Sequence, residues 1–300
     1  MIDQTYRSST LNQVKGIILA GGTGSRLWPL TKTTSKQLLP VYDKPLIYYP
    51  LSTLMLAGIR EILIITTPQD ADDFKNLLGD GSSLGISLEY EVQPNPEGLA
   101  QAFIIGENFI GESPVALILG DNIFYGPGLG RRLSAITNFD GATIFGVHVN
   151  DPHRYGVVEI SPAGQVLSIE EKPINPKSNT AVPGLYFFDK TVSMRAKSVT
   201  KSSRGELEIT AVIDSYLKDG KLSFRALEEN TAWMDCGTVD SLNEAANYIK
   251  EIEKKMNFKI GCVEQIALDS GWLSVDQYLE LVKTLGKNEY TRYLLNKIIT

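Results

Sequence analysis

Lys15-Gly16-Ile17-Ile18-Leu19-Ala20-Gly21-Gly22-Thr23-Gly24-Ser25-Arg26 is the stretch from which the fold of this chain is read. Gly16 to Ala20 is a short, almost wholly apolar run ending in glycines, the mark of a strand buried on both faces in a parallel sheet. The chain must then turn sharply. Three glycines in four positions allow positive φ angles and leave N–H groups bare enough to line up on an anion. The stretch lacks the Gly-Lys-Ser/Thr ending of a P-loop, and no G-x-G-x-x-G threads through it. Two readings stay open at this point: a phosphate cradle, or a structural turn after a strand.

The residues that follow favour the cradle. Arg26 leads into Leu27-Trp28-Pro29-Leu30, and a polar stretch then reaches Ser35-Lys36-Gln37-Leu38-Leu39-Pro40. A turn built on Gly21, Gly22, Gly24 and Ser25 supplies backbone donors, Arg26 a planar fork and Lys36 a mobile point charge. A polyphosphate needs that combination.

Leu19 to Arg26, Ser35 to Pro40 and Tyr42-Asp43-Lys44-Pro45 together resemble the signature of the sugar-phosphate nucleotidyltransferases. From about Lys15 to the C-terminus the chain is most similar to the branch that joins dTTP to glucose 1-phosphate. The resemblance implies a Rossmann-like α/β fold, with a mainly parallel sheet flanked by helices, a small mixed-β sugar-binding part and a C-terminal helical appendage. It also implies Mg²⁺ as cofactor, a homotetramer, and a second, regulatory nucleotide-sugar site at a subunit interface.

The global bounds agree. The 300 residues suffice for one large α/β domain or two small ones, and the 43% hydrophobic fraction is ordinary for a globular protein. A net charge of −6 argues against a nucleic-acid or anionic-membrane partner, so any bound anion must be met by local basic groups. No apolar run reaches the length of a membrane span and Met1 to Gln13 has no signal-like core, which makes the cytoplasm the expected location. Cys236 and Cys262, with only His148 and His153 beside them, form neither a disulfide framework nor a zinc pattern.

Residues 1–14 read as a loose, polar N-terminal extension, 15–260 as the nucleotidyltransferase domain and 261–300 as a C-terminal helical segment. Within the domain, strand and helix patterns alternate: Ile62 to Thr66, then a helix over Gln69 to Leu78; Ser87 to Gln93, then a helix over Gly98 to Phe109; Val115 to Leu119, then Leu129 to Ile136; then Ala142 to Val149. Pro45 to Gly58 has helical spacing, but Pro50 would cost a helix interior about 3 kcal/mol, so the regular helix should begin near Pro50. Beyond Asn150 come shorter strands, Gly156 to Ile160, Val166 to Glu171 and Gly184 to Phe188, with a turn at Ser161 to Gly164. Glu208 to Lys218, Thr238 to Lys255, Ser274 to Thr284 and Glu289 to Ile299 look helical.

Three further segments carry chemistry. In Gln93-Pro94-Asn95-Pro96-Glu97-Gly98, a glutamine held at a strand end offers one acceptor and one donor, which match N3–H and a carbonyl of thymine or uracil. The same segment also reads as a Pro-rich loop capping the next helix. The resemblance makes Gln93 and Gly98 nucleobase contacts. An amide cannot separate thymine from uracil, and the methyl group is worth only about 1 kcal/mol. Leu117-Ile118-Leu119-Gly120-Asp121-Asn122 and Ala232-Trp233-Met234-Asp235 both end apolar runs in an aspartate. Asp121 alone is an Asx turn or a Mg²⁺ ligand; the resemblance makes Asp121 and Asp235 the two metal ligands.

The resemblance also places a sugar-phosphate site at Asn122, Tyr155, Gly156, Glu171, Lys172 and Val182. Glu171 would accept hydrogen bonds from sugar hydroxyls and Lys172 would hold the sugar's phosphate, although Glu-Glu-Lys as a bare pattern reads as a solvated edge. Arg26, Lys36 and Lys172 are thus the expected catalytic groups, with Gln37 in the nucleotide site. Three positions depart from the family pattern: Pro183 before Gly184, Cys236 after Asp235 and Ala211 after Thr210. The competing expectations are a sister enzyme that uses UTP or another sugar phosphate, and a non-catalytic nucleotide-sugar sensor.

Overall fold

The computed structural model describes residues 14–22, 24–136 and 140–299. The expected N-terminal extension falls outside them, apart from Val14, and so does Thr23 of the glycine turn. A ten-stranded sheet forms the centre, running from one edge as Val166–Glu171, Gly156–Ile160, Thr180–Val182, Ala142–His148, Leu185–Phe188, Val115–Leu119, Lys15–Ala20, Glu61–Thr66 and Ser87–Val92. Leu222–Ala226 adds to Ala142–His148 in parallel. Lys15–Ala20, Glu61–Thr66, Ser87–Val92 and Val115–Leu119 pair only in parallel with one another, and in chain order these four lie 3-2-1-4, the Rossmann half-sheet.

Alternation along these strands explains why they are apolar throughout. Ile18, Ala20, Ile62, Ile64, Ala116 and Ile118 point into one core layer. Ile17, Leu19, Leu63, Ile65, Val115 and Leu117 point into the other. A strand covered by helices on both faces has no polar side, so its pattern is a continuous run. Each such buried Ile, Leu or Val side chain contributes about 1.5–3 kcal/mol of transfer free energy.

The helices meet one local expectation and correct another. The first runs Tyr48–Leu56, which puts Pro50 in the first turn, where its missing N–H has no helical partner to lose. The helix expected over Gly98 to Phe109 is two short ones, Gln101–Ile105 and Glu107–Ile110. Gly106 divides them: a Cβ there would come within 3.1 Å of Ile17 and Leu63, so the break lets the chain lie close on the sheet.

Two small antiparallel ladders were not legible in the sequence: Pro40–Val41 with Lys44–Pro45, and Asn122–Tyr125 with Ala232–Asp235. The helix Val239–Met256 packs against both through a third core of Leu27, Val41, Tyr49, Ile123, Leu242 and Ile249. The C-terminal helices Val263–Asp269, Val275–Thr284 and Glu289–Ile299 share the first core layer through Val263, Tyr278 and Leu294. Among the described residues no helix is long and apolar enough to cross a membrane.

Candidate active site

A cavity of about 360 Å³ opens beyond the carboxyl ends of Lys15–Ala20 and Val115–Leu119, where connections leave the sheet in opposite directions and ligands characteristically bind. The glycine turn leaves the first of these strands and Gly120-Asp121 leaves the second. Of the three glycines only Gly24 has a positive φ, at 61°. The expectation of positive φ at all of them is therefore corrected. Gly21 serves close approach instead, because its Cβ would lie 2.2 Å from Oε1 of Gln93. Gly21, Gly24 and Ser25 do not line the cavity, whereas Gly22 and Arg26 do.

Lys36 opens a short 3₁₀ turn, Lys36–Leu38, and its ammonium sits on the carboxylate of Asp121. Gln37 beside it is 1% exposed and accepts from Ser35 Oγ at 2.5 Å. Burial pushes the Asp121 carboxyl up, but the Lys36 charge and hydrogen bonds from Lys36 and Asn122 outweigh it, and the group stays ionised below its usual range. The ladder between 122–125 and 232–235 sets Asp235 opposite Asn122, and the N–H of Cys236 donates to the carbonyl of Asp121 at 2.9 Å. Asp235 is pushed up by burial and then by the negative charge of Asp121, against Lys36, Arg26 and Arg154. Arg154 Nη2 stands 3.5 Å from Asp235 Oδ2.

Two crowded carboxylates, one ionised against the pull of burial, suit a divalent cation that takes its other ligands from phosphates and water. Among the described residues no group of three or more His, Cys, Asp or Glu is placed to hold a metal by itself.

Asn122, expected to touch the sugar phosphate, lines the cavity with its polar groups already engaged. Its Oδ1 accepts from Gly184 N at 3.0 Å and from Trp233 Nε1 at 2.6 Å, and its Nδ2 donates to Asp121 Oδ1 at 3.0 Å. Pro183 stands next to this anchor with its carbonyl accepting from Leu185 N at 2.7 Å.

On the wall expected to meet the sugar phosphate, Gly156 pairs with Glu171 on one neighbouring strand and Val182 on the other, which explains how residues distant in sequence come together. Tyr155 stacks edge-on against Trp233 at 5.0 Å. Glu171 is pushed up by burial against the charges of Lys172 and Arg204. Lys172 has φ 42°, unusual for a residue with a side chain. Its N–H donates to Tyr155 at 3.0 Å. Such strain clusters at ligand sites.

At the far end, Gln93 donates through Nε2 to Gln101 Oε1 at 2.6 Å. Gly98 has φ 109°, and a Cβ there would lie 2.4 Å from the carbonyl oxygen of Leu207. The sequence reading passed over Arg154, Arg204, Glu206, Glu208 and Trp233, all of which line the cavity. Arg204 Nη2 reaches Glu208 at 2.9 Å and Glu171 at 3.6 Å. Charged residues at every second position of Arg204-Gly205-Glu206-Leu207-Glu208 ahead of a helix were the available signal.

Residues 15–252 match the family model described as nucleotidyl transferase. A glucose-1-phosphate thymidylyltransferase of Neisseria meningitidis is 55% identical over 283 residues, 94% of this chain and 98% of that protein. A solved Bacillus anthracis structure, provisionally assigned the same activity and bound to sucrose, aligns with TM-score 0.73 and 42% identity over 78% of this chain and 94% of its own. A UDP-glucose pyrophosphorylase complexed with UDP-glucose aligns with TM-score 0.71 and 25% identity over 79% of this chain and 98% of its own. With its glycine turn, its lysine–aspartate pair and its second aspartate in one crevice, the chain belongs to the nucleotidyl transferase family, in the branch of the glucose-1-phosphate thymidylyltransferases.

Proposed function

We propose that this enzyme transfers a thymidylyl group from dTTP to α-D-glucose 1-phosphate, releasing pyrophosphate and forming dTDP-glucose. The observation that carries the reading is the contact of Lys36 with Asp121, beside Asp235, Arg26 and Arg154, in the cavity that also holds Lys172. The incoming sugar phosphate is already an anion at neutral pH, so the protein need supply neither a nucleophile nor a general base. Its task is to align two anions that repel each other and to stabilise charge as the bond to the α-phosphate changes partners.

Arg26 and Lys36 take the triphosphate and the departing pyrophosphate, and Lys172 holds the attacking phosphate. Glu171 accepts from sugar hydroxyls, while Gly156 and Val182 offer backbone to the ring. Asp121 and Asp235 would hold a divalent cation, Mg²⁺ in this reading, which when bound would neutralise phosphate charge. Lys36, in contact with Asp121 in the same cavity, is placed to meet phosphate oxygens. Gln93 offers an acceptor to N3–H of the base.

Pyrophosphate release with Mg²⁺, crossing dTTP, UTP, dCTP, dATP and dGTP with glucose, galactose and mannose 1-phosphates, tests the proposal. Release confined largely to dTTP with glucose 1-phosphate supports it. Equal or faster release with UTP would move the enzyme to the sister activity of the UDP-glucose relative. No release with any pair from folded protein that binds dTDP-glucose would make it a sensor.

A further inference from the structure

Gln93 can turn either end of its amide toward a base, and the two ends select opposite partners. Oxygen accepts from a base that carries a proton on N3, such as thymine. Nitrogen donates to a base whose N3 is an acceptor, such as cytosine. What fixes the amide therefore fixes which pyrimidine is taken.

The fixing group is identifiable from partners whose polarity is not in question. The backbone N–H of Glu97 can only donate, and it reaches Gln101 Oε1 at 3.2 Å. The Glu97 carboxylate accepts, and Gln101 Nε2 stands 3.3 Å from its Oε2. Both ends of Gln101 are thereby assigned, with oxygen toward Gln93. Only a donor can face that oxygen, so the atom of Gln93 at 2.6 Å is Nε2. Its second hydrogen reaches Gly98 O at the long distance of 3.5 Å.

Gln93 Oε1 is left without a hydrogen-bond partner among the described residues, and it lies over Gly21, 2.2 Å from where a Cβ would stand. Glu97 in turn is held by Lys201 at 2.8 Å. The sequence reading gave Gln93 a free donor as well as an acceptor. The structure withdraws the donor, because the nitrogen is committed inside the protein.

We propose that Gln101 is the positioning residue for base choice: by accepting from Gln93 Nε2 and being locked at both ends by Glu97, it holds the Gln93 oxygen toward the nucleotide and so enforces bases bearing an N3 proton. This rests on the dTTP reading above. Gln101 is not among the residues lining the cavity, and it acts through Gln93. With the acceptor facing cytosine N3, two lone pairs oppose each other, and a site built to hydrogen-bond one partner strongly rejects the other.

The test compares kcat/KM for dTTP and dCTP, with glucose 1-phosphate saturating, in the wild type, in Gln101→Met and in the double variant Glu97→Gln/Gln101→Glu. Methionine fills the space without accepting, which frees Gln93 to rotate. The expected result is a fall of about tenfold or more in the dTTP-to-dCTP ratio, carried by KM for the nucleotide, with KM for glucose 1-phosphate within about twofold. In the double variant position 101 again accepts, from both Gln93 and the new amide at 97, and the ratio returns toward wild type. A ratio in Gln101→Met within about twofold of wild type, in protein that melts at the wild-type temperature, overturns the inference and leaves the dTTP reading standing. So does an equal loss with both nucleotides. A wild-type enzyme that uses no dTTP overturns both.

Discussion

The indole N–H of Trp233 donates to Oδ1 of Asn122 at 2.6 Å, joining the strand that leads to Asp235 to the residue that follows Asp121. The same oxygen receives Gly184 N, and the amide nitrogen holds Asp121. One side chain thus sets the spacing of the two carboxylates and ties it to the sugar wall. Trp233→Phe keeps the ring against Tyr155 and removes the donor. The loss of one hydrogen bond to a buried group costs about 1–2 kcal/mol, and turnover at low Mg²⁺ should fall about tenfold, with partial recovery as the cation is raised. A Mg²⁺ titration of initial rate measures this; unaltered cation dependence would refute the spacing role.

Lys172 combines a left-handed backbone, φ 42°, with a half-exposed ammonium 3.9 Å from Glu171. The pair is too long and too exposed to stabilise the fold appreciably. Lys172→Ala should therefore reduce kcat/KM for glucose 1-phosphate by about 10–100-fold, the value of a charge-assisted contact, while dTTP binding and the melting temperature hold. Steady-state kinetics with dTTP saturating, beside calorimetric dTTP binding, separates the two substrates. Unchanged kinetics for the sugar phosphate would remove Lys172 from the site.

Much of the nucleotide half was legible because its signals are local. An apolar run ending in glycines is a buried strand, and an aspartate closing such a run sits at the sheet's carboxyl edge, as Asp121 does. The sugar half was less so. Gly156, Glu171 and Val182 meet through pairing between strands whose register no local pattern encodes. Asn122–Tyr125 and Ala232–Asp235 form a ladder between segments about a hundred residues apart, so Trp233 gave no sign of its partner. Gln101 was invisible for a related reason: a half-buried glutamine opening a short helix carries no signal until its neighbours are known.

Gly98 has φ 109° and lies against Leu207, whose carbonyl oxygen and nitrogen would stand 2.4 and 2.6 Å from a Cβ. Gly98→Ala meets backbone on one side and a disfavoured conformation on the other, so neither can yield cheaply. A destabilisation of about 1–3 kcal/mol should accompany a raised KM for dTTP, because the loop carries Glu97 and, through it, Gln101. Urea unfolding together with dTTP kinetics tests this. A variant as stable as wild type would show that the loop moves away from Leu207 without penalty.

Cys262 is pushed up to about 12 by burial and by the nearby Glu264 carboxylate. Burial raises the Cys236 thiol as well, reinforced by Asp121 and Asp235. A thiol must ionise and be reached before it reacts. Iodoacetamide at pH 8 should leave both untouched in the folded enzyme and alkylate both in urea, read by intact mass. Rapid labelling of the native protein would contradict the burial.

Glu264 is 5% exposed and accepts from the hydroxyl of Tyr290 at 2.6 Å. Burial pushes its carboxyl above the usual glutamate range, and the hydrogen bond from Tyr290 and the charge of Lys44 offset this only in part. The folded state therefore keeps a proton that the unfolded chain has released. Stability falls as pH rises from the unfolded to the folded pKa of this group, and the penalty is constant above that interval. Glu264→Gln keeps an oxygen for Tyr290 and removes the charge, so its benefit should appear only where the carboxylate is ionised. Thermal melts should show the variant about 2 °C or more above wild type at pH 8, with the gap closing as the pH falls about a unit or more below the usual glutamate pKa of about 4.3, where the carboxyl is neutral in both states. A variant that melts at or below the wild-type temperature at pH 8 would mean that the ionised carboxylate is satisfied in the fold, with Tyr290 and Lys44 outweighing its burial.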